Sequence, residues 1–207
     1  MAELVIGLML SMAREIPRAD REIRNGNWIK KELAGSELKG KYLGIIGLGN
    51  IGKRLGRLTR ALNMNIIGYD VIPIDDEFSK EVGLMKADLG TLLSSADYVS
   101  LHVPLLDSTH HMINAEKLKL MKHTARIINT SRGGVIDEEA LYNSLKEGNI
   151  AGAALDVFEV EPATGNKLTT LPNFVATPHM GAQTKEAQLL AANIIAEKII
   201  QVLRGVL

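Results

Sequence analysis

"IIGLGNIG", from Ile45 to Gly52, is the stretch on which the reading of this chain turns. It closes a short apolar run, "YLGIIG", with the length and composition of a buried strand, and it opens "IGKRLGRLTRALN", patterned as a helix. Gly47, Gly49 and Gly52 have the spacing G-x-G-x-x-G, which carries weight only in such a strand-turn-helix context. Gly47 permits the tight turn, Gly49 lets a pyrophosphate approach the backbone, and Gly52 lets the helix pack closely on the sheet. The helix N-terminus then offers the N–H groups of Asn50 and Ile51 to an anion. The next strand, "NIIGYD", ends at Asp70, near the interval of about 20 residues at which an acid meets the ribose hydroxyls of an adenosine. Its charge repels a 2′-phosphate, which favours NAD over NADP. A glycine turn without a ligand, beside an aspartate that only caps a strand, is the alternative; the joint spacing argues against it.

Outward from this unit the pattern repeats. "ADYVSLHVP", "ARIINTS", "IAGAALDVF" and "NFVATPH" read as four more strands, and "DEEALYNSLKEGN" as a helix with acids in its first turn and a glycine beyond it. Six strands alternating with helices imply right-handed crossovers and an α/β fold, a Rossmann-type doubly wound parallel sheet. Residues 2–15 place Leu4, Val5, Leu8, Met9 and Met12 at helical spacing. A short helix ending near Asn25-Gly26 follows, then an extended polar arm with Trp28 as its large anchor. The organisation expected is an N-terminal helix and arm over 1–40, a dinucleotide domain over 41–183, and a C-terminal helix over 184–207.

Composition narrows the function. Of 207 residues 46% are hydrophobic and 23% charged, and 24 Lys plus Arg balance 24 Asp plus Glu, so no basic surplus argues for nucleic acid. With no cysteine, thiolate catalysis, disulfides and Cys-ligated zinc are excluded. The apolar run in "AELVIGLMLSMAR" is too short to span a bilayer and lacks a basic leader, so the expectation is a cytoplasmic protein.

Three stretches of the second half move the argument from binding to chemistry. Arg132 lies just past the fourth strand, Asp156 and Glu161 past the fifth, and His179 past the sixth. Those are carboxyl ends of strands, where open α/β sheets bind ligands. An arginine fork holds a carboxylate, and a histidine oriented by an acid moves a proton on a hydroxyl oxygen. The set suggests reduction of a 2-oxo acid. Each residue alone has a bland reading, as a solvated turn arginine, a loop acid or a strand-end histidine; together those readings need several coincidences. His102, His110, His111 and His123 lack spaced partners and are read as packed or solvated, so no metal is expected.

With these residues in view, the chain resembles the nucleotide-binding domain of the D-isomer-specific 2-hydroxyacid dehydrogenases, most nearly the D-3-phosphoglycerate dehydrogenase branch. "GLGNIG", "HVPLLDST", "NTSRGGVID", "LDVFEVEP" and "PHMGAQT" match family signatures in order and spacing, and the arm "GNWIKKELAGSELKGK" matches that branch. The resemblance implies a catalytic trio of Arg132, Glu161 and His179: His179 the acid/base, Glu161 its partner, Arg132 the holder of the substrate carboxylate. It implies that Asp156 holds the nicotinamide carboxamide and that Val103 and Pro104 line the adenine-ribose side. Thr130, Ser131, Gly181 and Ala182 would touch the cofactor largely through backbone. Asn50 stands where arginine is more usual. By the same resemblance the first and last helices would cross to a substrate-binding domain that is absent from this chain, leaving their apolar stripes uncovered. A homodimer through the nucleotide domain and residues 17–41 is expected. So is NAD-dependent oxidation of a D-2-hydroxy acid, such as 3-phosphoglycerate in serine biosynthesis. The alternative is an NAD(H)-binding module without turnover of its own.

Overall fold

The computed structural model describes residues 1–203. Two helices lead, α1 (Ala2–Ala13) and α2 (Ile16–Arg24), followed by the arm with one 3-10 turn at Lys30–Glu32. The sheet unit follows as β1 (Tyr42–Ile46), α3 (Asn50–Ala61), β2 (Asn65–Tyr69), α4 (Asp76–Val82), β3 (Leu84–Lys86) and α5 (Leu89–Ser95). It continues through β4 (Tyr98–Leu101), α6 (Ala115–Lys119), β5 (Arg126–Asn129), α7 (Glu138–Lys146), β6 (Gly152–Leu155) and β7 (Phe174–Ala176). The last element is α8 (Lys185–Leu203); positions 204–207 of the expected C-terminal helix lie outside the described residues.

All strand pairs are parallel, in the order β3-β2-β1-β4-β5-β6-β7. The chain therefore winds outward one way from β1 and then the other way from β4. That opens a crevice at the carboxyl ends of β1 and β4. The described sheet has seven strands, not the six expected. The addition, β3, is three residues long and carries exposed Met85, so it has too few positions to show a period.

Successive residues of the central strands feed opposite layers, as the pleat requires. Ile46, Ile127 and Ala153 join the layer with α5, α6 and α7; Ile45, Ile128 and Ala154 join the layer with α1, α3 and α4. Side chains of Asp75, Asp88, Asn114 and Asp137 accept from the first-turn N–H groups of α4, α5, α6 and α7. Each such cap stabilises by about 1 kcal/mol.

The two terminal helices part company. On α1, Val5 and Met9 are fully buried and Leu8 and Met12 nearly so, against α3 and the sheet. Its apolar stripe is covered by its own domain, contrary to expectation, because it packs against α3 and the face of β5, β6 and β7 in one buried cluster with Ile128 and Ala154. On α8, Leu189, Leu190, Ile195 and Ile199 stay more than half exposed. Among the described residues no helix is long and apolar enough to cross a membrane.

Candidate active site

Every residue named in the sequence as catalytic or cofactor-binding lies beyond a carboxyl end of the sheet or in the first turn of α3. Gly47 leaves β1 with φ +92°, a conformation that favours glycine, and a Cβ there would sit 2.7 Å from the His102 carbonyl. Gly49 caps α3 and faces open space, whereas a Cβ on Gly52 would run into the Gly47 carbonyl. The loop is closed tightly beneath and left open above, where Asn50 and Ile51 start the helix, exposed.

Asp70 is bound to this loop. Its Oδ2 accepts the Leu48 N–H at 2.6 Å and its Oδ1 accepts the Ile72 N–H at 3.0 Å. Each oxygen keeps a further lone pair for a ribose hydroxyl. A cavity of about 450 Å³ opens beside it, walled by Val71, Ile72, Pro73 and Ile74, with Lys86 and Asp88 at the rim. Val103, half-buried, and Pro104, exposed, follow β4 on the other side of β1. His102 bonds Ser100 Oγ at 2.9 Å, and loss of water around its ring pushes its pKa down to about 4. It is neutral at physiological pH.

The loop after β5 is organised by Asn129, a residue the sequence reading passed over. Its Oδ1 accepts from Ser131 N at 3.0 Å and Ser131 Oγ at 2.8 Å, and its Nδ2 donates to the Arg132 carbonyl at 2.8 Å. An asparagine at a strand end before Ser and Gly-Gly is a turn signal that could have found it. Arg132 is left exposed, donating from Nη1 to the Ser131 carbonyl at 2.6 Å and pairing with no carboxylate among the described residues. Thr130 Oγ1 is buried without a hydrogen-bond partner. An orphan of that kind is costly unless a ligand satisfies it. With the open glycine cradle and the free lone pairs of Asp70, it shows that the residues present fit a dinucleotide.

Asp156 and His179 are tied together by backbone. Asp156 is fully buried; its Oδ1 accepts from Thr177 Oγ1 at 2.6 Å and Met180 N at 2.8 Å, and its Oδ2 from Gly181 N at 2.9 Å. These bonds clamp the turn that holds His179 at φ +53°, an uncommon conformation for a side-chain-bearing residue. They also engage the Gly181 N–H, as Asn129 engages that of Ser131, so two of the backbone donors expected to meet a cofactor already have partners. Ala182 is exposed. Thr177 was not foreseen as part of this clamp.

His179 Nδ1 lies 2.7 Å from Glu161 Oε2, and Glu161 Oε1 accepts the Phe158 N–H at 3.0 Å. The His179 bond, with a smaller contribution from Phe158 N–H, holds the Glu161 carboxyl below the ordinary glutamate range against the opposing effect of burial. An ionised carboxylate is an acceptor only, so Nδ1 carries the proton and Nε2 is free to exchange one. Glu161, His179, Pro162, Ala163 and Pro178 border a recess of about 660 Å³. A Cβ on Gly133 would collide with the Phe158 carbonyl, so the Arg132 loop rides directly on the Glu161 loop. Arginine, carboxylate and histidine thus stand on two touching loops and one clamped turn. Among the described residues no three His, Cys, Asp or Glu side chains gather as a metal ion would need.

Comparison with known proteins agrees with this fold. Residues 6–181 match the family model described as D-isomer specific 2-hydroxyacid dehydrogenase, NAD binding domain. The D-3-phosphoglycerate dehydrogenase of Methanocaldococcus jannaschii is 51% identical over 205 residues, which are 99% of this chain and 39% of that one. The hydroxypyruvate reductase of Thermotoga maritima is 48% identical over 97% of this chain and 65% of its own. The D-lactate dehydrogenase of Aquifex aeolicus, solved with NAD and lactic acid, superposes with a TM-score of 0.90 at 31% identity, covering 99% of this chain and 66% of that one. The chain spans about two fifths of the first relative and two thirds of the others.

Proposed function

Because the chain belongs to the D-isomer specific 2-hydroxyacid dehydrogenases, carrying their NAD binding domain, we propose that it is the cofactor half of an oxidoreductase interconverting a D-2-hydroxy acid and its 2-oxo acid. The substrate we favour is 3-phosphoglycerate, on the strength of the 51% identity to a phosphoglycerate dehydrogenase and the arm that resembles that branch. With it go a role in serine biosynthesis and a cytoplasmic setting. The arm, with Trp28 at 81% exposure, supports a homodimer through residues 17–41, since a lone exposed tryptophan is the type of anchor interfaces bury.

The observation that carries the reading is the bond between His179 Nδ1 and the ionised Glu161. Bound NAD supplies the hydride acceptor, and NADH the donor. His179 takes the hydroxyl proton at Nε2 on oxidation and returns it on reduction, while Glu161 fixes its tautomer and steadies the imidazolium. Arg132 presents its fork to the substrate carboxylate. Asp70 holds the ribose hydroxyls, the first turn of α3 the pyrophosphate, and Thr130 Oγ1 gains its missing partner on the cofactor. Asp156 keeps the His179 turn in place; its full burial and three accepted bonds make that positioning its role, in place of the carboxamide contact expected from the sequence.

One feature favours the second reading, a binding module without turnover of its own: Arg132 is exposed, and the His179 side chain is 51% exposed. Positioning and exclusion of water need a second wall. The test is NADH oxidation by the purified chain with phosphohydroxypyruvate, hydroxypyruvate, glyoxylate and pyruvate, beside NADH binding. Binding with turnover, fastest on phosphohydroxypyruvate, is the result expected of a complete site. Binding without turnover in folded protein favours the module, and failure to bind NADH overturns both.

A further inference from the structure

The segment from Phe158 to Pro162 carries Glu161; Phe158 is anchored in the hydrophobic core against Phe174, but beyond it Val160 is 75% exposed. Past Phe158 the contacts to the neighbouring loops that do not involve Glu161 itself are polar, and they come from Glu159. The Glu159 N–H donates to Glu138 Oε1 at 2.6 Å, and Glu159 Oε1 in return accepts the Glu138 N–H at 3.1 Å. The same oxygen lies 3.0 Å from His111 Nε2. Glu138 is itself anchored, its Oε2 accepting from Asn166 Nδ2 at 2.7 Å. His111 stacks on His110 with ring centroids 4.0 Å apart, donates its backbone N–H to the Gly134 carbonyl at 2.7 Å, and adopts φ +48°. Three loops, those after β4, β5 and β6, therefore meet at one carboxylate. Two of them carry Arg132 and Glu161.

We propose that Glu159 is a positioning residue: it clasps the Glu161 loop to the amino end of α7 and to His111, so that the Glu161 carboxylate stays on His179. The proposal rests on reading Glu161 and His179 as the acid–base pair. Glu159 touches neither the substrate nor the cofactor; it acts through Glu161. His111 joins the clasp from the far side, at the cost of an uncommon backbone conformation that a glycine would adopt freely.

Titration of the Glu161 side-chain carboxyl, followed by carbon NMR in the whole chain without cofactor or substrate, tests it. Two effects of Glu159→Ala oppose each other in sign. Removing a nearby negative charge by itself lowers the Glu161 pKa. Freeing the loop, so that Glu161 leaves His179, raises it, by about 1 pH unit if the charge-assisted bond is lost. The proposal expects a rise in Glu159→Ala and none in Glu159→Gln, since the amide oxygen can still accept from Glu138 N–H and His111. Glu138, His110, His111 and His179, which face the pair, are unchanged in both variants. A fall or no change in Glu159→Ala overturns the clasp. Should that variant not fold, His111→Gly decides, because glycine suits the φ there: a rise is expected, and an unmoved Glu161 overturns the proposal. The titration needs no turnover, so a failure here leaves the oxidoreductase reading standing, and an inactive chain leaves the clasp standing.

Discussion

Asp70 accepts the Leu48 N–H at 2.6 Å, so the acid that closes β2 is hydrogen-bonded into the glycine loop that closes β1. The carboxylate fixes the loop and, in the function proposed, also holds the ribose. Asp70→Ala removes both. NADH affinity should fall by about tenfold or more, the loss of one or two hydrogen bonds to a charged group. Calorimetric titration reads it, and unchanged affinity would remove Asp70 from the ribose site. Asp70→Asn keeps much of the loop bond while lifting the repulsion of a 2′-phosphate, so NADPH should gain relative to NADH.

The contact of Gly52 with the Gly47 carbonyl leaves no room for a methyl group. Gly52→Ala must push α3 away from the turn, costing about 1–3 kcal/mol. A melting temperature lowered by several degrees, with NADH binding weakened, is the expected outcome. A variant as stable as the parent and binding as well would show that the helix is free to shift.

His179→Ala should lower the reductase rate of an active form by about 100-fold to 10,000-fold while leaving NADH affinity within a few-fold. Steady-state rates beside a binding titration separate the two. Turnover near the parent rate would take the acid–base role from His179.

His102 makes stability depend on pH in a stated direction. Its folded pKa of about 4 lies below the usual value of 6.5, so the unfolded chain takes up a proton before the folded one does. Stability from this group is complete above about pH 6.5 and is lost as the pH falls towards about 4, by on the order of 3 kcal/mol at most. Denaturant unfolding across that range, beside His102→Gln, checks it. The glutamine variant should show a flatter acid limb, and identical profiles would deny His102 this role.

What the sequence determined by itself is what local chain chemistry records. Ile45–Gly52 announced the turn because glycine is needed where φ is positive at Gly47 and where backbone approaches backbone at Gly52. The strands of the central sheet were legible because each is a short apolar run between turn residues, and Asp70 because it follows at a set interval. Arg132, Glu161 and His179 could be named from motifs. Only the tertiary structure decided how they are held. The clamp of Asp156 on Thr177, Met180 and Gly181, the reciprocal bonds of Glu138 and Glu159, and the burial of Met9 against the sheet all join residues distant in the chain. β3 was missed because three residues carry no period, and the covering of α1 because an apolar stripe does not say which surface it meets. Periodicity and turn chemistry are properties of neighbours along the chain; a hydrogen bond across loops depends on where the packed sheet brings their ends.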